Sequence, residues 1–221
     1  AGYTEESNDL RTASIQVTGF PSNAVNTINA ATELSSANGG KFKDFRRSGF
    51  GRVNYDFKDK YIISGTIRVD VSSKFAPGNR LGKFPGISGA WRISEESFFP
   101  GFFDEFKLRG SWGRMGSQNI GSFATVTGLN VNSDFFFSGG VQTGIALTEL
   151  SNPNIQWEVT ETAEGGMDIS FLDNRVDMNM SFFNKRSSGI LAETPIPVLG
   201  GVGSTVLRNS STVRNYGLEF G

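Results

Sequence analysis

Three glutamates, Glu158, Glu161 and Glu164, stand at intervals of three just ahead of the pair Gly165-Gly166. Carboxylates so close together suggest acid–base work or a cation site. The residues around them alternate between apolar and polar, however, and alternation separates Glu158 and Glu164 from Glu161 across a strand. Glu161 then shares a face with apolar neighbours, where a charge is costly at the middle of a bilayer and tolerable near its edge. A bulge near Gly165-Gly166 would instead turn it inward. Neither arrangement points to catalysis. The rest of the inventory agrees, because the 221 residues include no Cys and no His. That excludes disulfides, iron–sulfur clusters, thiolate zinc sites and thiol nucleophiles. It also removes the commonest metal ligand, the commonest general base and any Ser-His-Asp triad. No catalytic residue, metal site or cofactor is expected, and the chain is read as no enzyme.

Two further motifs carry no chemistry. Gly200-Gly201-Val202-Gly203 has no helix after it to complete a phosphate cradle. Asn209-Ser210-Ser211 matches a glycosylation acceptor, which matters only in a secretory pathway that glycosylates. With 21 Lys and Arg against 22 Asp and Glu and no basic run, nucleic acid is not expected as a partner.

The elements that carry these residues have a period of two. Gly49, Gly51, Val53, Tyr55 and Phe57 alternate with Phe50, Arg52, Asn54 and Asp56. After Lys58-Asp59-Lys60 the oily set continues as Tyr61, Ile63, Gly65, Ile67, Val69 and Val71, which predicts a hairpin. Pro85 to Ile93, Phe106 to Trp112, Trp157 to Phe171 and, past Leu172-Asp173-Asn174-Arg175, Val176 to Phe182 repeat the arrangement. Glu161 is the one charge on the oily side of these six strands. Ser94 to Phe99 reads as a single capped helical turn with its acids at the positive end.

Connections alternate in length. Those after Phe57 and Phe171, and Ser94 to Asp104, are short or compact. Residues 4 to 44 (with a weak strand at Thr12 to Val17), Ser72 to Leu81, Met115 to Pro153 and Ser187 to Ser204 read as long loops. Tyr55, Phe57, Tyr61, Trp91, Phe106 and Phe171 cluster on the oily face near the short turns, while Trp112, Trp157 and Phe182 lie towards the long loops. Long and short connections with two aromatic belts are what transmembrane β-barrels show. No stretch has the roughly 18–20 apolar residues that a spanning helix requires. A soluble β-sandwich packing its oily face on a second sheet is the alternative. Strand lengths near the ~9–11 residues of a membrane strand argue against it.

Specific blocks then resemble the SusC/RagA family of TonB-linked outer-membrane transporters of Bacteroidetes. They are Gly51 to Tyr61 (GRVNYDFKDKY), Arg68 to Phe75 (RVDVSSKF), Phe84-Pro85, Ala90 to Glu96 (AWRISEE) and Phe98-Phe99. Leu108 to Gly113 (LRGSWG), Gly116 to Gly121 (GSQNIG), Asn152 to Glu158 (NPNIQWE) and Val213 to Glu219 (VRNYGLE) follow in the family's order. Residues 1 to 45 match only loosely.

The resemblance implies an all-β, antiparallel transmembrane barrel of 22 strands around an N-terminal plug, pulled by TonB–ExbB–ExbD. A SusD-like surface lipoprotein would close over its mouth, and a glycan or peptide would be carried. Residues 1–221 contain neither plug nor TonB box. They are expected to be part of the barrel domain alone, supplying about eight or nine strands of wall in contact with outer-membrane lipid. The expected role is passive scaffold and lumen lining in a cell outer-membrane importer of oligosaccharides or peptides. A non-transporting adhesin or assembly scaffold on the same wall, or a soluble β-sandwich binding module, is the alternative.

In such a wall Arg52, Asp56, Arg68, Asp70, Arg92, Lys107 and Arg109 would face the lumen. There they contact plug or substrate, or else form a wetted cross-strand ladder. Phe135, Phe136 and Phe137, in the loop between Gly121 and Glu149, would meet ligand or partner, or tuck over the mouth.

Overall fold

The computed structural model describes every residue except 26, 122, 123, 127, 138 and 198–204. It is built from antiparallel strands joined by turns and short 3-10 segments, with no α-helix among the described residues. Eight strands form one open sheet: β1 (Gly2–Thr18), β2 (Glu33–Phe57), β3 (Tyr61–Ser72), β4 (Leu81–Arg92), β5 (Glu105–Ser117), β8 (Glu158–Phe171), β9 (Val176–Pro195) and β10 (Thr205–Phe220). They pair in chain order, each with the next. A separate two-stranded hairpin, β6 (Gly128–Phe137) with β7 (Gly140–Glu149), rises between β5 and β8. The motif at 200–203 lies outside the described residues.

Register follows the alternation of the sequence. Phe57 faces Tyr61, Val53 faces Gly65, Gly65 faces Ile87, Ile87 faces Trp112 and Trp112 faces Ala163, so the oily positions form continuous rows. Because side-chain direction flips at every residue, a one-residue slip would put Arg52 or Arg109 among them, which fixes the pairing. The turn after β2 places Lys58 and Asp59 at φ 57° and 55°, the left-handed pair that matches the twist of a hairpin. Asp59 N–H donates to the Asp56 carboxylate at 2.9 Å to hold it.

Five expectations need correction. Residues 4 to 44 are no loop: β1 and β2 pair from Gly2–Phe50 up to Thr18–Glu33. Their upper halves are polar on both faces, so no oily side betrays them in the sequence. Backbone pairing and cross-strand contacts hold them instead, with Arg47 on Glu5 at 3.0 Å, Arg46 on Glu6 at 2.7 Å and Leu10 opposite Phe42. Likewise β9 runs on to Pro195, and the span 115–153 contains the β6–β7 hairpin.

The expected capped turn is a 3-10 turn at Ile93–Glu95 with no side-chain cap, and the buried Ser94 hydroxyl has no partner. Glu96 is drawn instead to the ends of β3 and β4. Finally, Trp157 is not on the oily face. It packs 5.5 Å from Phe84, which stands opposite Arg68 on the charged side. It lies just before β8, where strand alternation does not yet govern direction.

The buried core sits at that charged, long-loop end. Phe75, Phe84, Ile120, Ile155 and Trp157 form one cluster, and Trp157 Nε1 donates to the Arg80 carbonyl at 3.3 Å. Ser48, Asp70 and Ser72 are buried on the same face. On the opposite face Val53 is 73% exposed and Ile87 57%, so none of the described residues covers them.

Candidate membrane wall and lumen lining

The oily face is a band of constant height. Running up from the short turns, its positions carry no charge until Arg47 in β2, Lys83 in β4, Arg114 in β5, Glu161 in β8 and Arg186 in β9. β3 carries none as far as Val71. Each first charge stands nine or ten positions above the last strand residue at the turn end. At about 3.3 Å per residue and a tilt of about 35–45°, that is roughly 20–25 Å of height, close to the ~25 Å apolar belt of outer-membrane barrels.

The lower rim of the band is aromatic. Tyr55, Phe57, Tyr61, Trp91 and Phe98 follow one another with ring centroids 6.2–6.5 Å apart. Phe103 and Phe106 continue the rim 6.0 Å apart, and Phe171 stands 6.4 Å from Phe103. Rings with one apolar side and one polar edge settle at a membrane interface.

Glu96 ties this rim to the turns. It accepts from the Tyr61 hydroxyl at 2.6 Å, Lys60 Nζ at 3.1 Å and Trp91 Nε1 at 3.2 Å. Those donors, Tyr61 first, hold its carboxyl below the usual carboxylate range.

Glu161 keeps its strand register. It faces Arg114 on one side and Arg186 on the other with no shift in either pairing, so it shares the oily face with Ala163 and Met167 at its upper edge. Its charge is met by Arg114 Nε at 2.9 Å and Trp112 Nε1 at 3.1 Å. Glu158 and Glu164 do point to the other side, where Glu164 pairs with Arg109 and Glu158 accepts from Leu191 N–H at 2.7 Å. The three carboxylates therefore form no common site, and among the described residues no group of acids is arranged to hold a metal.

On the charged face, three of the residues singled out in the sequence meet. Arg109 bridges Glu164 and Asp168, Lys107 Nζ lies 2.8 Å from Asp168, and Arg92 and Lys107 both approach Glu105, at 3.8 and 3.9 Å. Higher up, Arg68 Nε sits 2.9 Å from the buried Asp70 carboxylate while its guanidinium donates to Ser48 Oγ at 3.0 Å. Arg52 stands apart in a groove of about 420 Å³ of mixed character, lined by Ser64, Thr66 and Lys185 together with Phe84, Ile87 and Trp112. Asp56 serves the β2–β3 turn. Phe135, Phe136 and Phe137 belong to the separate β6–β7 hairpin, beside its tip, and Phe136 is 79% exposed.

Two features escaped the sequence reading. Arg114, Arg186 and Arg214 occupy oily-side positions immediately above the last uncharged residue, a signal visible only when each alternation is followed past its apolar end. Asn209 clamps the upper ends of β8 and β9, donating to the Gly189 and Gln156 carbonyls at 2.6 and 2.9 Å. There Gly189 takes φ +66°, a conformation that L side chains rarely adopt.

One oily band bounded below by rings and above by charges, backed by a salt-bridged polar face, defines a transmembrane β-wall. The family model for the TonB dependent receptor-like β-barrel matches residues 2–221. TonB-dependent receptor P26 of Formosa agariphila is 38% identical over 173 residues, covering 77% of this chain and 17% of that protein. TonB-dependent receptor SusC of Bacteroides thetaiotaomicron is 33% identical over 176 residues, covering 77% and 18%. The chain thus spans under a fifth of the length of these relatives.

Among solved structures, the RagAB peptide transporter superposes with a TM-score of 0.81 at 21% identity, over 99% of this chain and 24% of that one. The siderophore receptor PirA from Pseudomonas aeruginosa gives 0.54 at 16% identity, over 81% and 31%. The chain belongs to the TonB-dependent receptor β-barrel family, in its SusC/RagA branch, and its place is the outer membrane. The oily face therefore looks out to lipid, the charged face into the lumen, and the short turns into the periplasm.

Proposed function

We propose that this chain is wall and lumen lining of a TonB-dependent outer-membrane importer for oligosaccharides or peptides, doing no bond chemistry itself. The observation that carries the proposal is the pairing of faces: a charge-free outward band of bilayer height on the same strands that turn a salt-bridged polar surface inward. A polar inner surface gives a hydrated path, and a charge ladder that is already paired offers weak, exchangeable contacts to a passing solute. The two classes of cargo follow the names of relatives, one termed SusC and one a peptide transporter.

In this reading the plug and TonB box belong to the parent receptor outside residues 1–221, and TonB–ExbB–ExbD supplies the energy. A SusD-like lipoprotein is the expected partner at the mouth. The hairpin carrying Phe135, Phe136 and Phe137 is the segment best formed to meet it or the cargo, since exposed rings pack on lipoprotein or on sugar faces. Arg92, Lys107 and Arg109 line the conduit.

Deletion of the parent gene should abolish growth on one oligosaccharide or peptide source, and loss of TonB should do the same. Undiminished uptake in both strains would overturn the transport reading in favour of an adhesin or scaffold.

A further inference from the structure

The upper edge of the lipid-facing band is a single row across four adjacent strands. Arg114 of β5 faces Glu161 of β8, Glu161 faces Arg186 of β9, and Arg186 faces Arg214 of β10. The one carboxylate takes its hydrogen bonds and its ion pair from the β5 side, from Trp112 and Arg114, while Arg186 acts on it only at longer range, without contact. Among the described residues, neither Arg186 nor Arg214 lies within ion-pair distance of a carboxylate, and both are exposed. Directly opposed residues place their Cβ atoms about 4.5–5.5 Å apart, and like charges so placed are destabilising.

The side chains are nonetheless held ready. Arg214 Nε donates to Asn184 Oδ1 at 2.8 Å, and its guanidinium stands 5.8 Å from the Tyr216 ring. Arg114 stands 5.4 Å from the Trp112 ring in the same way. Directly below the row the surface is uncharged and oily: Met167 and Gly165 on β8, Met180 and Phe182 on β9, Leu218 and Phe220 on β10.

We propose that this row binds the phosphate group of an outer-leaflet lipid, with Arg186 and Arg214 as its two principal donors and Arg114 at its flank. The proposal rests on the barrel orientation given above. Three guanidiniums against one carboxylate leave a net charge of two positive at the height where headgroups begin. The planar fork of arginine matches phosphate oxygens two at a time. A lipid rather than a free anion is the fitting occupant, because the oily surface continues below the charges and would lie along acyl chains while they take the headgroup. A bound phosphate would also relieve the repulsion between Arg186 and Arg214 that the bare wall carries.

The test uses the full-length receptor in detergent and native mass spectrometry with diphosphoryl lipid A, its dephosphorylated counterpart and inorganic phosphate. The wild type should retain the phosphorylated lipid over the dephosphorylated one. The Arg186→Ala/Arg214→Ala variant should retain it roughly tenfold less, as expected for the loss of charge-assisted hydrogen bonds. Equal retention of both lipids, unchanged retention in the variant, or displacement by millimolar inorganic phosphate would overturn the proposal.

A heat-shifted gel band reports the closed barrel. Its absence in the wild type would count against the barrel reading itself. If only the double alanine variant lacks it, Arg186→Lys/Arg214→Lys, which keeps both charges without the fork, decides: a several-fold loss supports the site and no loss overturns it.

Discussion

The two faces of the same eight strands solve opposite problems. Inward, the wall behaves like a water-soluble protein: Lys107, Arg109, Glu164 and Asp168 neutralise one another, and Phe75, Phe84, Ile155 and Trp157 are buried beneath the loops. Outward, above the aromatic rim, Val53, Ile63 and Ile87 lie open among the described residues, and the first charges appear only where lipid headgroups begin. Burial within the chain is therefore a poor guide to what stabilises the outward face, because its partner is the bilayer. The same substitution should have different consequences on the two sides of one strand.

The largest effect belongs to the inner core. Trp157→Ala removes a ring that is 9% exposed and touches Phe75 and Phe84, and should cost the loop cap about 3–5 kcal/mol. Limited proteolysis of the receptor should then cut within residues 73–80 or 118–121, which the wild type protects.

Next comes a charge on the outer face. A Cβ at Gly65 would meet nothing within 4 Å, so Gly65→Arg has room, yet it puts a guanidinium near mid-bilayer at a cost of about 2–4 kcal/mol. Ser88→Arg, on the inner face of the neighbouring strand, should stay within about 0.5 kcal/mol. Denaturant unfolding of the receptor in vesicles measures both, and equal costs would abolish the distinction between the faces.

A smaller change is expected from Arg109→Met, which leaves Glu164 without its cation while Lys107 keeps Asp168. A loss of about 1 kcal/mol, shrinking with added salt, should appear in the same assay.

The smallest effect lies at the periplasmic rim and depends on pH. Glu96 is more acidic when folded than the ordinary value of 4.5, so its contribution is fully present above about pH 4.5 and is lost as pH falls through its lowered folded value. Glu96→Gln should remove that acid-side dependence. Heat-modifiable gel migration across pH 3 to 6 would show it as a flatter profile than the wild type.

How much of this was legible in the sequence follows from the same contrast. Where lipid covers one side, alternation is strict, and β3, with Tyr61 to Val71 against Ser64 to Asp70, could be read residue by residue. The register that keeps Glu161 outward was legible too, whereas the choice between it and a bulge needed the unbroken pairing with Arg114 and Arg186. Above the membrane both faces meet water, so Glu5 to Thr18 and Glu33 to Arg46 lose their oily side and resemble loop while pairing along their whole length. Trp157 was misassigned because alternation was extended past the strand's first residue, Glu158. The lumen ladder could not be paired from sequence, since partners such as Arg109 and Asp168 are 59 positions apart and only register brings them together.

The length of β2 has a mechanical consequence. At about 3.3 Å per residue its 25 residues make a ribbon of roughly 80 Å, more than twice the thickness of a bilayer's hydrocarbon core. Paired with β1 up to Thr18, it works as a mast stepped in the membrane. Its tip, residues 19–32, is carried clear of the surface and is among the first parts of this wall that an approaching molecule meets.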